Sequence, residues 1–92
     1  MARFEIAGLE QVGGGSLGGM LGATAFFELG LMYSVGGEVE VDLVAAHKWF
    51  NISASYGSAE AARLRREIAD QMSEQDIAAA QRAARDWLRA FH

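Results

Sequence analysis

Apolar residues recur at helical spacing along much of this chain, and the first clear helix is predicted over residues 23–36. One apolar stripe of this helix consists of Ala25, Leu29, Met32 and Tyr33. A second stripe, on the roughly opposite side, consists of Phe27, Leu31 and Val35. A helix that is apolar on two faces is normally buried on two sides. We therefore expect this helix to be covered on both faces.

The second predicted helix spans residues 43–56. Asp42 precedes it and suits the N-cap position, where its carboxylate accepts a hydrogen bond from a free amide. Gly57 follows it and can adopt the left-handed conformation that ends many helices. Residues 37–42 form the connecting loop. The alternating acids of that loop lack the ligand spacing and the glycine of a calcium loop, so we interpret it as a turn rather than a metal site.

Gly30 lies inside the first predicted helix, where glycine is unfavourable unless another segment must approach closely. The spacing predicts a helical hairpin in which the second helix contacts Gly30 near Trp49 and Phe50. Gly30→Leu is therefore expected to overpack that seam.

Two more helices are predicted in the second half of the chain. Ser58 suits the N-cap of a helix over residues 59–72, and Ser73 with Asp76 resembles a capping box that begins a helix over residues 74–91. Their apolar stripes are Ala61, Leu64, Ile68 and Met72 in the first, and Ile77, Ala80, Ala84, Trp87, Leu88 and Phe91 in the second.

The first two helices resemble a known repeat. The stretch from Ala25 to Tyr33, with Leu29 and Gly30 inside it, looks like the first helix of the Sel-one-like repeat, a relative of the tetratricopeptide repeat. The second helix is similar to that of the repeat at Asp42, Ala46, Trp49, Phe50, Ala54 and Gly57. Two departures are that Glu38, and not glycine, precedes the loop valine, and that Ser53 replaces an alanine of the usual pair.

The resemblance implies an all-α, short helical-hairpin solenoid: one clear Sel-one-like repeat over the first two helices, followed by a C-terminal capping helix pair. It also implies a scaffold that binds another protein or a protein complex, without catalytic activity. In this family the first stripe faces inward, which leaves Phe27, Leu31 and Val35 as the predicted protein-binding residues. They would be covered by a partner or by the segment around Phe4–Leu9.

The number of repeats bears on assembly. Stacked helical repeats normally need about three units to bury a continuous core, and this chain has one clear unit and one cap. We therefore expect either a homo-oligomer or an accessory subunit of a larger complex.

Residues 1–22 are predicted to be a glycine-rich N-terminal arm, with the helical domain over residues 23–92. An alternative is that the glycine-rich apolar segment 12–35 holds the protein at a membrane. Its glycines at four-residue spacing, Gly14, Gly18 and Gly22, are typical of close helix packing in membranes. Against this alternative, Glu28 would lie well inside the spanning helix. No convincing targeting signal is present, so a cytoplasmic location is expected.

Composition narrows the function further. The net charge of −4 argues against a nucleic-acid partner, because binding to phosphates requires a clustered basic surface. The chain has no cysteine and only two histidines. His47 is predicted to be a partly exposed side chain at the core edge, without a second ligand one turn away. No nucleophile elbow, phosphate loop or acid–base pair is found, so we expect no catalytic residue, cofactor or metal.

Overall fold

The structure of the protein is a computed structural model, which describes residues 17–91. In that part of the chain every regular element is a helix, which confirms the all-α prediction. The four helices are α1 (Leu17–Val35), α2 (Leu43–Ser55), α3 (Ala59–Ala69) and α4 (Glu74–Phe91). Most of the predicted N-terminal arm, residues 1–16, lies outside the described residues.

Helix α1 begins earlier than predicted and contains a break. Residues 17–21 are helical, and Gly22 interrupts the helix with φ 75° and ψ 174°. Glycine adopts positive φ without the steric penalty that a Cβ atom brings. The regular part of α1 therefore begins after Gly22, where the hydrophobic pattern placed it, and residues 17–21 of the predicted N-terminal arm are helical.

The break in α1 is held by a long-range hydrogen bond. The hydroxyl of Ser53, a fully buried residue of α2, donates to the carbonyl oxygen of Ala23 at 2.7 Å. Ser53 is also the residue that departs from the Sel-one-like pattern. This hydrogen bond thus connects the start of the regular part of α1 to α2.

Ser53→Ala is expected to lower the free energy of unfolding by about 1 kcal/mol, because a buried hydrogen bond is lost. Ser55→Ala is a matched control, since its hydroxyl donates only within its own helix, to Ile52. Its effect should stay within about 0.5 kcal/mol. Urea unfolding of both variants measures the difference, and equal effects would show that the bond to Ala23 contributes nothing.

Gly30 lies in the seam between α1 and α2, as predicted. A Cβ atom built at Gly30 would lie within 2.9 Å of three ring carbons of Phe50. That separation is shorter than a carbon–carbon contact allows. Only glycine therefore lets the Phe50 ring pack against the α1 backbone.

The predicted caps are confirmed. Asp42 accepts a hydrogen bond from the amide of Ala45, Ser58 from Ala61 and Ser73 from Asp76, each at 3.0 Å. Positive φ angles occur at Gly36, Gly37 and Gly57, so the left-handed residues of the loop are the two glycines and not Glu38. The third helix is shorter than predicted, because Ala69 is its last residue and a turn follows.

Helix α2 is the centre of the fold, and two hydrophobic clusters lie on different sides of it. The first cluster joins α1, α2 and α4 through Phe26, Leu29, Trp49, Ile52, Ala84 and Trp87. The second joins α2 to α3 through Ala46, Phe50, Ala61 and Ile68. Helices α3 and α4 pack on different faces of α2 and make little direct contact with each other. The structure therefore does not confirm the solenoid or the paired capping helices.

Phe26 is the residue of α1 that the stripe analysis missed. Its side chain is fully buried. Its ring centroid lies 6.0 Å from Trp49, 5.6 Å from Tyr56 and 5.1 Å from Trp87. Aromatic rings at these separations attract one another beyond the hydrophobic effect of burial. Phe26 thus connects three of the four helices.

None of the helices in the described part of the chain has the length and apolar character needed to cross a membrane.

Candidate interaction surface

The structure separates the three predicted protein-binding residues. Phe27 and Leu31 are half-buried and pack against the second cluster, and the Phe27 ring lies 5.7 Å from Phe50. Val35 is 75% exposed. The α2–α3 side of the molecule therefore covers Phe27 and Leu31 in part, whereas Val35 stays exposed. A role for the three side chains in binding stays a prediction.

A concavity lies at the end of the molecule where α1 stops. We call it the end groove, with a volume of about 660 Å³. One wall comes from the hairpin loop, residues 36–42, together with the first residues of α2. The other comes from the turn between α3 and α4, at residues 71–73, and from Asp76. Two turns about thirty residues apart in the sequence thus form one surface.

Backbone hydrogen bonds fix the wall formed by the hairpin loop. The amide of Gly36 donates to the carbonyl of Met32 at 3.0 Å, and the amide of Asp42 donates to the carbonyl of Tyr33 at 2.9 Å. Both ends of the loop are therefore tied to the last turns of α1. A surface held in this way meets a partner with little loss of conformational entropy.

Apolar side chains contribute to the end groove. Val41 is 56% exposed and lines it, together with half-buried Leu43 and Met72. A Cβ atom at Gly36 would lie 2.9 Å from a methyl group of Val41, so Val41 packs over the glycine. Val35 and Val41 are the exposed large hydrophobic residues of residues 21–91, and both are at this end.

Carboxylates are frequent in the two turn segments that contribute to the end groove, and Glu40, Asp42 and Asp76 line it. The two turn segments, residues 36–42 and 70–76, carry six of the chain's 12 acidic residues and no lysine or arginine. All six are exposed, and none forms an ion pair within residues 17–91. They are Glu38, Glu40, Asp42, Asp70, Glu74 and Asp76.

Of the four other acids within residues 17–91, three have cationic partners, and Glu28 has none. Glu60 and Glu67 both pair with Arg63, at 3.1 and 2.8 Å, and Asp86 lies 3.9 Å from Arg89. Acids without a cationic partner are therefore more frequent in the two turn segments of the end groove than on the rest of the described surface.

His47 is more buried than predicted. Its side chain lies on α2 and is only 3% exposed, and its Nδ1 atom has no hydrogen-bond partner among the described residues. Burial is the main cause that lowers the pKa of His47 below its ordinary value of 6.5, and the charge of Arg65 adds to it. A backbone hydrogen bond acts in the opposite direction. His47 is thus a neutral core residue.

The lowered pKa of His47 makes stability depend on pH. The unfolded chain binds the proton at higher pH than the folded chain, so the free energy of unfolding should fall as the pH drops through 6.5. Urea unfolding at neutral pH and at about pH 5 measures this change, above the range where most carboxylates titrate. His47→Leu should flatten this part of the profile. An equally steep profile in that variant would assign the pH dependence to other groups.

A metal site needs a particular arrangement of ligating side chains. No group of three or more histidine, aspartate or glutamate side chains within residues 17–91 is arranged to hold a metal ion. The acids of the end groove are exposed, as expected of solvated carboxylates. The groove is suited to contact, through apolar surface and negative charge.

Comparisons with models of protein families, with curated proteins and with solved structures find no match to this chain.

Proposed function

We propose that this protein is a non-catalytic protein–protein interaction module, an accessory or assembly subunit that uses the end groove as its contact surface. One observation carries the proposal: within residues 21–91 the exposed large hydrophobic side chains, Val35 and Val41, both lie at the end of the molecule that forms the groove. Exposed apolar residues beside a concave surface are typical of sites where partners dock. The resemblance to the Sel-one-like repeat supports the same function.

The end groove supports this function better than the stripe predicted on α1. Phe27 and Leu31 already contact the second cluster, so a partner would gain less from covering them. Val35 belongs both to the stripe predicted on α1 and to the end of the molecule that forms the end groove, since it is the last residue of α1 and adjoins the hairpin loop. The proposal therefore keeps Val35 in the interface and moves the centre of that interface to Val41.

Affinity capture with the purified chain tests the proposal when matched variants are compared. A polypeptide bound by the wild type should be lost with Val41→Asp and retained with Ala90→Asp, an equal change at an exposed site on α4. Circular dichroism must show that both variants fold. Capture that is insensitive to Val41→Asp, or no capture at all from the native source, would contradict an interaction role for the end groove.

A further inference from the structure

The charge around the end groove identifies the chemistry of a partner. Glu40, Asp42 and Asp76 line the groove directly, and none of them has a cationic partner within the described residues. Elsewhere within residues 17–91, Glu60 and Glu67 share Arg63 and Asp86 pairs with Arg89, whereas Glu28 has no cationic partner. Charge complementarity across an interface selects partners and speeds their encounter. A partner that carries positive charge is therefore complementary to these unpaired carboxylates.

The apolar part of the groove adds a second requirement. Val41 is exposed at its edge, and Leu43 and Met72 are half-buried in its walls. Branched and flexible apolar side chains of this kind contact aliphatic groups well. A ligand that offered charge alone would leave this surface in water.

We propose that the end groove binds a cationic segment of another protein, in which lysine or arginine residues alternate with aliphatic ones. The inference rests on the proposed function and specifies its partner. The cationic groups contact Glu40, Asp42 and Asp76, and the aliphatic groups contact Val41 and its apolar neighbours. Much of the attraction is electrostatic and is screened by salt.

Two other occupants fit the charge less well. Residues 1–16 of this chain contain Arg3 but also Glu5 and Glu10, so they carry a net negative charge. A second copy of the chain brings a net charge of −4, and two copies of like charge repel each other. A separate basic partner has the complementary sign.

Fluorescence anisotropy with a labelled probe peptide tests the proposal on the full chain. The probe alternates lysine and leucine, and its matched control replaces each lysine with glutamate. The lysine peptide should bind and the glutamate peptide should not. The double change Glu40→Gln and Asp76→Asn should weaken binding about fivefold, as expected for two exposed ion pairs. The control double change Glu60→Gln and Glu67→Gln should leave binding within about twofold.

Several results would overturn the proposal. They are equal binding of both peptides, equal weakening by the groove and control variants, and affinity that does not fall as salt rises. Light scattering in the same buffers should show no groove-dependent dimer; one that dissociates on Asp76→Asn would make a second copy the occupant. If Val41→Asp abolishes capture of a partner while the charge variants retain it, the proposed function stands and this inference fails.

Discussion

Gly30→Leu should destabilise the protein by about 3 kcal/mol, at the upper end of the range for overpacking a core. The first side-chain atom alone would lie within 2.9 Å of three carbons of the Phe50 ring. That ring cannot move aside, because Phe50 is fully buried and packs against Phe27. Thermal and urea unfolding measure the loss. A variant that melts within a degree or so of the wild type would show that Gly30 does not lie in the α1–α2 interface.

A double-mutant cycle assigns this effect to the contact itself. Gly30→Ala adds only the Cβ atom that clashes, and Phe50→Leu replaces the ring that this atom meets with a smaller side chain. The combined variant should be more stable than the sum of the two single losses predicts, by about 1 kcal/mol, since residues in contact do not act independently. Additive losses would mean that another feature of α1 requires glycine.

Phe26→Ala should be the most damaging truncation in α1, with a loss of about 3–5 kcal/mol. Phe26 is fully buried and contacts Trp49, Tyr56 and Trp87. The neighbouring change Phe27→Ala is a matched control of the same size. Phe27 is half-buried and has one aromatic partner, so its loss should be about 1–2 kcal/mol.

Circular dichroism and urea unfolding of both variants measure the ranking. If Phe27→Ala costs as much as Phe26→Ala, both rings belong to the core and the interface excludes Phe27. The sequence-based expectation is that Phe27→Ala weakens partner binding by about 2 kcal/mol or more while the fold survives. Loss of binding beyond the loss of folded protein would support that role for Phe27.

Local signals predicted the helices well. Asp42, Ser58 and Ser73 were identified as caps because short polar side chains before an apolar stripe satisfy free amides, and each of them accepts the expected hydrogen bond. The seam at Gly30 was found because glycine inside a helix requires a reason. These are interactions between residues close in sequence or between adjacent helices.

Tertiary packing set the features that the sequence did not predict. Phe26 is next to Ala25, the first residue of the predicted stripe. Phe26 faces the core, where its ring packs against Trp87 of α4. The first predicted stripe and the second both contact other helices, since α3 and α4 approach α2 on different faces. His47 of α2 is also buried, and the charge of Arg65 in α3 contributes to lowering its pKa.

The end groove could not be found from the sequence alone. The acids of the hairpin loop form an alternating pattern in the sequence, but that pattern does not show which distant segment lies opposite them. The second wall comes from residues 71–76, about thirty positions later, and only folding brings the two turns together. The sequence does show that both turns lack lysine and arginine. That shared feature does not show that the two turns are adjacent.

The most direct measurement of the central claim is an amide chemical-shift map of the isotope-labelled full chain during titration with the lysine–leucine probe. The end groove predicts that the shifts concentrate at residues 39–44 and 71–76 and that Glu40→Gln with Asp76→Asn reduces them. Shifts confined to Phe27 and Leu31, shifts spread over the whole surface, or an unchanged spectrum would contradict the end groove as the contact surface for a basic partner.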